Sequence, residues 1–312
     1  MVSSEMIQKH PFFSIIIPTY NRLERLANCF ESLSHLDYPR EQFEVIVIDD
    51  GSDMPLQPAV APFLDQLNVT LLKQLHAGPA RARNTGAERA KGEYLAFTDD
   101  DCLLAPNWLK NLAARLATLP DHAIGGRTLN GLPDNLYSMA SQLLIHYLYT
   151  YYNSDPHQAR FFTSNNLALP ADYFHKIGGF NTTFFRAAAE DREFCERWLQ
   201  HGYRLIYAPE VLVYHVHDLL FRPFWRQHFN YGMGAFRYHQ LRARHKKLHL
   251  RIEPLSFYFN MLRYPLSQIH GTKVLSLLLL LFISQGAYAV DFLREMVRQI
   301  ISKNKQTYSS SP

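Results

Sequence analysis

The chain has 312 residues and a formal net charge of +4, from 32 Lys and Arg against 28 Asp and Glu. Hydrophobic residues make up 47% and charged residues 19%, enough apolar material for a sizeable core, which sets aside a chain without one. The length suits one large domain or two moderate ones.

Phe12 to Ile17 is an apolar, β-branched run and predicts a strand buried on both faces. Pro18-Thr19-Tyr20-Asn21-Arg22 ends it. Leu23, Leu26, Ala27, Phe30 and Leu33 then recur at helical spacing. Phe43 to Ile48 predicts a second strand, closed by Asp49-Asp50-Gly51-Ser52, and Val69 to Leu72 a third. Pro79 to Ala90 reads as a helix with Pro at its start. Glu93 to Phe97 is the fourth strand and Pro106 to Leu119 the next helix. Alternating strands and helices predict a doubly wound α/β layer.

Polar clusters fall where three of these strands end: Thr19-Tyr20-Asn21, Asp49-Asp50 and Asp99-Asp100-Asp101. In such sheets ligands bind outside the carboxyl ends of the strands. Three adjacent carboxylates repel one another unless a cation or several donors neutralise them. Hard cations such as Mn2+ or Mg2+ take carboxylate and phosphate oxygens, so this cluster suggests a metal that holds a diphosphate. The plainer reading is a solvated acidic turn. No GxGxxG follows the first strand, and no GxxxxGK followed by Ser or Thr occurs anywhere. A dinucleotide dehydrogenase or a P-loop enzyme would lack its phosphate cradle.

Four motifs, Ser14 to Arg22, Val47 to Ser52, Gly78 to Gly86 and Phe97 to Asp101, resemble those of the family 2 glycosyltransferases in their order along the chain. The resemblance continues more loosely to about residue 217. It implies a GT-A fold, a Rossmann-like mixed sheet flanked by helices, over residues 1–217, with residues 218–312 as a helical C-terminal extension. It also implies an inverting, metal-dependent transfer of a hexosyl unit from a nucleotide-diphosphate sugar, UDP being the first choice of nucleotide. The acceptor would be a glycan or a lipid-linked hydroxyl in the synthesis of cell-surface polysaccharide or glycolipid.

Carried over residue by residue, Pro18, Thr19 and Tyr20 would line the nucleotide pocket, with Tyr20 against the base. Asp50 would read the base edge, and Asp99 would contact the ribose. Arg83, or Arg81, would lie near phosphate. Asp101 would hold Mn2+ or Mg2+. Cys102 stands where another acid often follows, a departure expected to weaken only a secondary contact. Each residue has a plainer alternative: Tyr20 a half-buried loop aromatic, Asp50 a turn cap, the arginines surface charges.

Ala123 to Arg127 reads as an edge strand, and Ser164-Asn165-Asn166 leads into a strand ending at Pro170. Phe184 to Phe194 resembles the family's Glu-Asp motif at the start of a helix that stops at Gly202, which makes Asp191 the catalytic base. A carboxylate opposite the leaving group takes the acceptor proton in one displacement, which inverts the anomeric centre. The alternative role for Glu190 and Asp191 is helix-dipole capping. Val211 to His217 alternates as a strand, and the resemblance implies that His215, or alternatively His217, completes the metal shell.

Beyond this lie an aromatic-basic stretch from Phe221 to Gly232 and a basic cluster of Arg237, Arg242, Arg244, Lys246, Lys247 and Arg251. These suit an anionic partner: phosphates, a membrane surface or nucleic acid. Val274 to Val290 carries no Lys, Arg or Glu and no Asp; at seventeen residues it is at the lower limit of a spanning helix. It predicts a helix lying on a cytoplasmic membrane face, with an oligomer or core helix as the alternative. Lys303 to Pro312 has the composition of a disordered tail. Cys29, Cys102 and Cys195 form no CxxC or zinc spacing and read as reduced thiols. Met1 to His10 holds no apolar signal core, which argues against secretion. A cytoplasmic protein, peripheral at the inner face of the plasma membrane, is expected. A nucleotide-binding protein without catalysis and a nucleic-acid-binding protein are the competing readings, with nucleic acid not expected as a partner on the first.

Overall fold

The structure is a computed structural model and describes residues 10–185, 188–246 and 253–309. In chain order the elements are β1 (Phe13–Thr19), α1 (Leu23–Ser34), β2 (Phe43–Asp49), α2 (Gln57–Val60), β3 (Val69–Lys73), α3 (Pro79–Arg89), β4 (Tyr94–Phe97), β5 (Cys102–Leu104) and α4 (Trp108–Thr118). There follow β6 (Ala123–Asn130), α5 (Leu136–Tyr152), β7 (Leu167–Pro170), α6 (Ala171–Lys176), α7 (Glu190–Gln200), β8 (Leu205–His215), α8 (Phe221–Lys246), α9 (Leu255–Gln268) and α10 (Lys273–Ser309).

One eight-stranded sheet has the order β3-β2-β1-β4-β7-β6-β8-β5. β1 to β4 pair in parallel, in keeping with the largely apolar runs of β1, β2 and β4, whereas β7 pairs antiparallel with both β4 and β6. The alternation of side chains across β1 sends Phe13, Ile15 and Ile17 to one core with α1 and α4, and Ile16 to another with α3 and α7. Full burial of Trp108, Trp198, Phe97 and Phe194 contributes about 1.5–3 kcal/mol for each large apolar side chain.

The expected edge strand is an interior one. β6 lies between β7 and β8. Gly125 and Gly126, which suggest an edge, instead admit close neighbours: a Cβ at Gly125 would meet the Phe162 ring at 2.1 Å, and one at Gly126 would meet Asn166 Nδ2 and the Val211 carbonyl at 2.3 Å.

The helices after residue 218 rest on α5. Ala140 and Leu143 of α5 pack with Phe224 of α8 and Leu277 of α10, while Leu144 and Tyr147 pack with Phe257 and Met261 of α9. α8 and α10 come backbone to backbone, since a Cβ on Gly232 would lie 2.2 Å from the Tyr288 carbonyl. The segment expected to span Val274 to Val290 is the first half of a longer helix. Its backbone stays helical through Ser309, which corrects the expectation of disorder from Lys303; residues 310–312 lie outside the described ones. Of α10, Lys273–Ile301 is long and apolar enough to cross a membrane by length and composition, and a third of its most apolar stretch is buried within the chain.

Candidate active site

The carboxyl ends of β1, β2 and β4 bring the polar clusters together. Thr19 Oγ1 donates to Asp100 at 2.7 Å, and the backbone N–H of Asn21 donates to Ser52 Oγ at 2.8 Å. Pro18 continues β1 in register with Ile48. Tyr20 stacks on His76, with ring centroids 4.3 Å apart, and His76 meets Phe185 edge-on.

Asp50 is buried and bound to the 74–78 loop. Its carboxylate accepts from Gln74 Nε2 and the N–H groups of Ala77 and Gly78 at 2.6–2.9 Å, and His76 Nδ1 lies 2.9 Å away. In this structure Asp50 therefore shapes the 74–78 loop, while the turn at Gly51 is closed by Asp49, whose Oδ1 accepts from the Ser52 N–H at 2.7 Å. Gly78 follows with φ of 87°, and a Cβ there would sit 2.1 Å from the Phe185 carbonyl. Only glycine lets the loop pass this close while leaving Pro79 to start α3.

Arg83 is a buried hub. One terminal nitrogen donates to Asp99 Oδ1 at 2.6 Å and the other to Glu190 Oε1 at 3.1 Å, while its Nε is buried without a partner. The residue thus joins α3, the end of β4 and the start of α7. Arg81, the alternative, is exposed.

Asp101 and His215 meet as the motif reading expects: His215 Nε2 lies 3.1 Å from Asp101 Oδ1. The His215 ring stacks on His217 with centroids 4.5 Å apart. Arg22 reaches both Asp100 (3.0 Å) and Asp101 (3.3 Å), and Arg25 reaches Asp101 at 3.1 Å. Burial alone would raise the Asp101 carboxyl, but His215 and Arg22 outweigh it and hold it well below the usual range. Burial lifts Asp100 to about 6 despite Arg22, and pushes His217 down to about 3.

A carboxylate oxygen of Asp101, the Cys102 sulfur and an imidazole nitrogen of His215 lie within 4.8 Å of one another. Burial pushes the Cys102 thiol well above its ordinary value, so it stays protonated and is a poor ligand. The remaining oxygen and nitrogen donors fit a divalent cation of the Mn2+ type.

Asp191 sits at the first turn of α7, which begins after Ala189 in the left-handed region at φ 66°. Its Oδ1 accepts from the Arg192 N–H at 2.7 Å. Burial, then the neighbouring Glu190, push its carboxyl up to about 7. Arg192 lies between the rings of Tyr152 and Tyr238, 5.1 and 4.9 Å from their centroids, and donates to the Tyr152 hydroxyl.

A cavity of about 280 Å³ is lined by Asp99, Asp191 and His215 from the sheet side, and by side chains of α5, α8, α9 and α10. Arg22, Arg25 and His76 had no role in the sequence reading, and Glu190 had only helix-dipole capping as an alternative. The acidic cluster that the first two meet lies 78 residues beyond Arg22, so no local signal marked them. Of the basic cluster, Arg237 donates to Thr183 and Arg242 pairs with Glu196; Lys247, Arg251 and the side chains of Arg244 and Lys246 lie outside the described residues, as do Arg186 and Ala187 of the Glu-Asp motif.

Comparison with known proteins bears on the family and the fold. The glycosyltransferase AglE of Haloferax volcanii is 26% identical over 208 residues, 66% of this chain and 67% of that protein. A validoxylamine A glucosyltransferase of Streptomyces hygroscopicus is 29% identical over 220 residues, 62% of this chain and 52% of that protein. Among solved structures, the mannosyltransferase PcManGT from Pyrobaculum calidifontis, in complex with GDP-Man and Mn2+, aligns with a TM-score of 0.61 at 21% identity, over 96% of this chain and 84% of that one. The model of glycosyl transferase family 2 matches residues 14–187. That match takes in more than half of the chain and all four motifs, and on it this chain belongs to the family 2 glycosyltransferases, with the GT-A fold.

Proposed function

We propose that the chain is an inverting, metal-dependent glycosyltransferase that moves a hexosyl unit from a nucleotide-diphosphate sugar to an acceptor hydroxyl. One observation carries this reading: Asp191, Asp99 and His215 all line the same cavity. A carboxyl held near neutrality suits a general base, because it is ionised when needed and still basic enough to take a proton. Asp191 would remove the acceptor proton as the hydroxyl attacks, and a single displacement would invert the anomeric carbon. Asp101 and His215 would hold Mn2+ or Mg2+, which supplies charge neutralisation at the departing diphosphate. The imidazole ligand favours Mn2+ over Mg2+.

Tyr20, 41% exposed as a residue, would offer a ring face to the nucleotide base beside Pro18 and Thr19. Asp50 holds the loop beneath it, and Arg83 fixes Asp99 for the ribose. We place the enzyme in cell-surface polysaccharide or glycolipid synthesis at the cytoplasmic face of the plasma membrane. The outward apolar side chains of α10, among them Leu275, Leu279 and Phe282, support that location. Residues 1–217 would be the transferase unit and 218–312 a helical element that covers the acceptor side. The internal pairing of Arg237 and Arg242 speaks against the nucleic-acid reading.

Isothermal titration with UDP, GDP and dTDP, each with and without Mn2+, tests the donor site. The expected result is metal-dependent binding of one nucleotide that disappears in Asp101→Ala. No binding of any nucleotide would overturn the reading.

A further inference from the structure

The cavity that reaches Asp191 is longer than a hydroxyl group needs. From α5 it is lined by Ser138, Ser141, Gln142, Ile145, Leu148 and Tyr152, one stripe at helical spacing. Fourteen residues along a helix span about 21 Å. From α8 it is lined by Gln227, His228, Tyr231, Ala235 and His239, about 18 Å on the same rise. Ser141 contacts His228 at 3.1 Å, and Tyr152 and Tyr238 flank the same guanidinium. The two helices therefore run side by side in the same direction along the cavity. Phe257 and Met261 of α9 and Tyr288 of α10 also line it.

Most polar groups of α5 and α8 on this wall are already used, although His239 Nδ1 is buried there without a partner. Ser138 donates to Asn130, Gln142 to the Thr128 carbonyl, Gln227 to Tyr231, and Ser141 is bonded to His228. Burial pushes His228 down to about 3, so it carries no charge for a ligand. A long glycan needs free donors and acceptors along its length, and this wall offers few. It offers contact area instead: Leu144, Ile145, Leu148, Phe257 and Met261.

The outer faces of the same C-terminal helices are apolar too. Leu255, Phe259 and Leu266 of α9, and Leu275, Leu279, Phe282, Val290 and Leu293 of α10, are exposed. Those on α10 recur at helical spacing along one side.

Building on the glycosyltransferase reading, we propose that the acceptor is amphipathic: a hydroxyl-bearing head placed at Asp191, joined to an apolar chain that lies in the channel between α5, α8 and α9. The chain portion is recognised by contact with Ile145, Leu148, Phe257 and Met261, and the head alone reaches the polar end.

The test uses alkyl β-D-glucosides from methyl to dodecyl, titrated into the full chain below their aggregation thresholds. Comparison within the series isolates the chain, whatever the correct head. Affinity should rise by up to about fourfold for each buried methylene, from about 0.8 kcal/mol apiece, and then level off. Leu148→Trp and Met261→Trp, which fill the channel, should flatten this dependence and leave metal-dependent nucleotide binding intact. A Leu279→Glu, Phe282→Glu double variant of the outer face should leave it unchanged. A glucoside with a photoreactive diazirine at its chain end should label peptides of α5 or α9 in the unaltered protein, a readout that survives misfolding of the filled variants. Affinity independent of chain length, or a dependence abolished only by the outer-face variant, would overturn the proposal. Loss of nucleotide binding with chain dependence retained would instead count against the transferase reading.

Discussion

Asp191→Asn separates chemistry from binding and has a sign that can be worked out in advance. Burial and Glu190 place the Asp191 carboxyl at about 7 instead of its ordinary 3.8. At about 1.36 kcal/mol for each unit, its ionised form is disfavoured by roughly 4 kcal/mol. A general base works ionised, so kcat/KM for wild type should climb with pH through about 7 and then level off. At pH 5, two units below, only about 1% is ionised and the rate should be about a hundredfold below the plateau. The asparagine variant should lose about 10²- to 10⁴-fold in kcat and keep its nucleotide affinity. The folded protein binds this proton more tightly than the unfolded chain. The stability that Asp191 contributes is therefore present below about 3.8 and lost as pH rises through about 7. The variant should accordingly unfold at a higher temperature than wild type at pH 8, by at most about 4 kcal/mol, and show less advantage at pH 4. Initial rates across pH 5–8, with calorimetric unfolding at both pH values, read both effects. A flat profile, or a variant with a tenth of wild-type activity, would refute the assignment of the base.

Arg83→Met removes the cation shared by Asp99 and Glu190 and leaves the buried Glu190 carboxylate without it; urea unfolding should show a loss of about 3–5 kcal/mol. Gly78→Ala forces a Cβ onto the Phe185 carbonyl at a φ of 87°; its unfolding temperature should fall, by more than the same substitution at Gly286, where nothing lies within 4 Å and φ is helical. The Leu279→Glu, Phe282→Glu pair should reduce co-sedimentation with anionic liposomes severalfold and leave nucleotide binding unchanged; equal sedimentation would remove the membrane-face proposal.

The parallel half of the sheet was legible because β1, β2 and β4 are buried on both faces and so read as apolar runs. The Asp101–His215 contact was legible only through the family resemblance, since it depends on β5, which begins just after Asp101 and pairs Cys102 with His215. α5 was missed for the opposite reason. Tyr149 faces the sheet-side core while Ala140, Leu143 and Leu144 face the C-terminal helices, so no single polar side marks the helix. β5 has three residues, too few for a period. The interior place of β6 was hidden because two glycines there serve a ring and a carbonyl pressed against the backbone, which no local pattern reveals. The commitment of Asp50 to its own loop follows from the path of residues 74–78, which sequence spacing does not specify.

The contact at Gly232 bears on how the acceptor channel could be tuned. With the α8 and α10 backbones touching there, the two helices have no compressible layer between them. Tyr288, whose carbonyl is the point of contact, also faces the channel. Position 232 therefore acts as a spacer: alanine, serine or a larger side chain would set the distance between the helices, and with it the bore of the channel, from a site that never touches the acceptor.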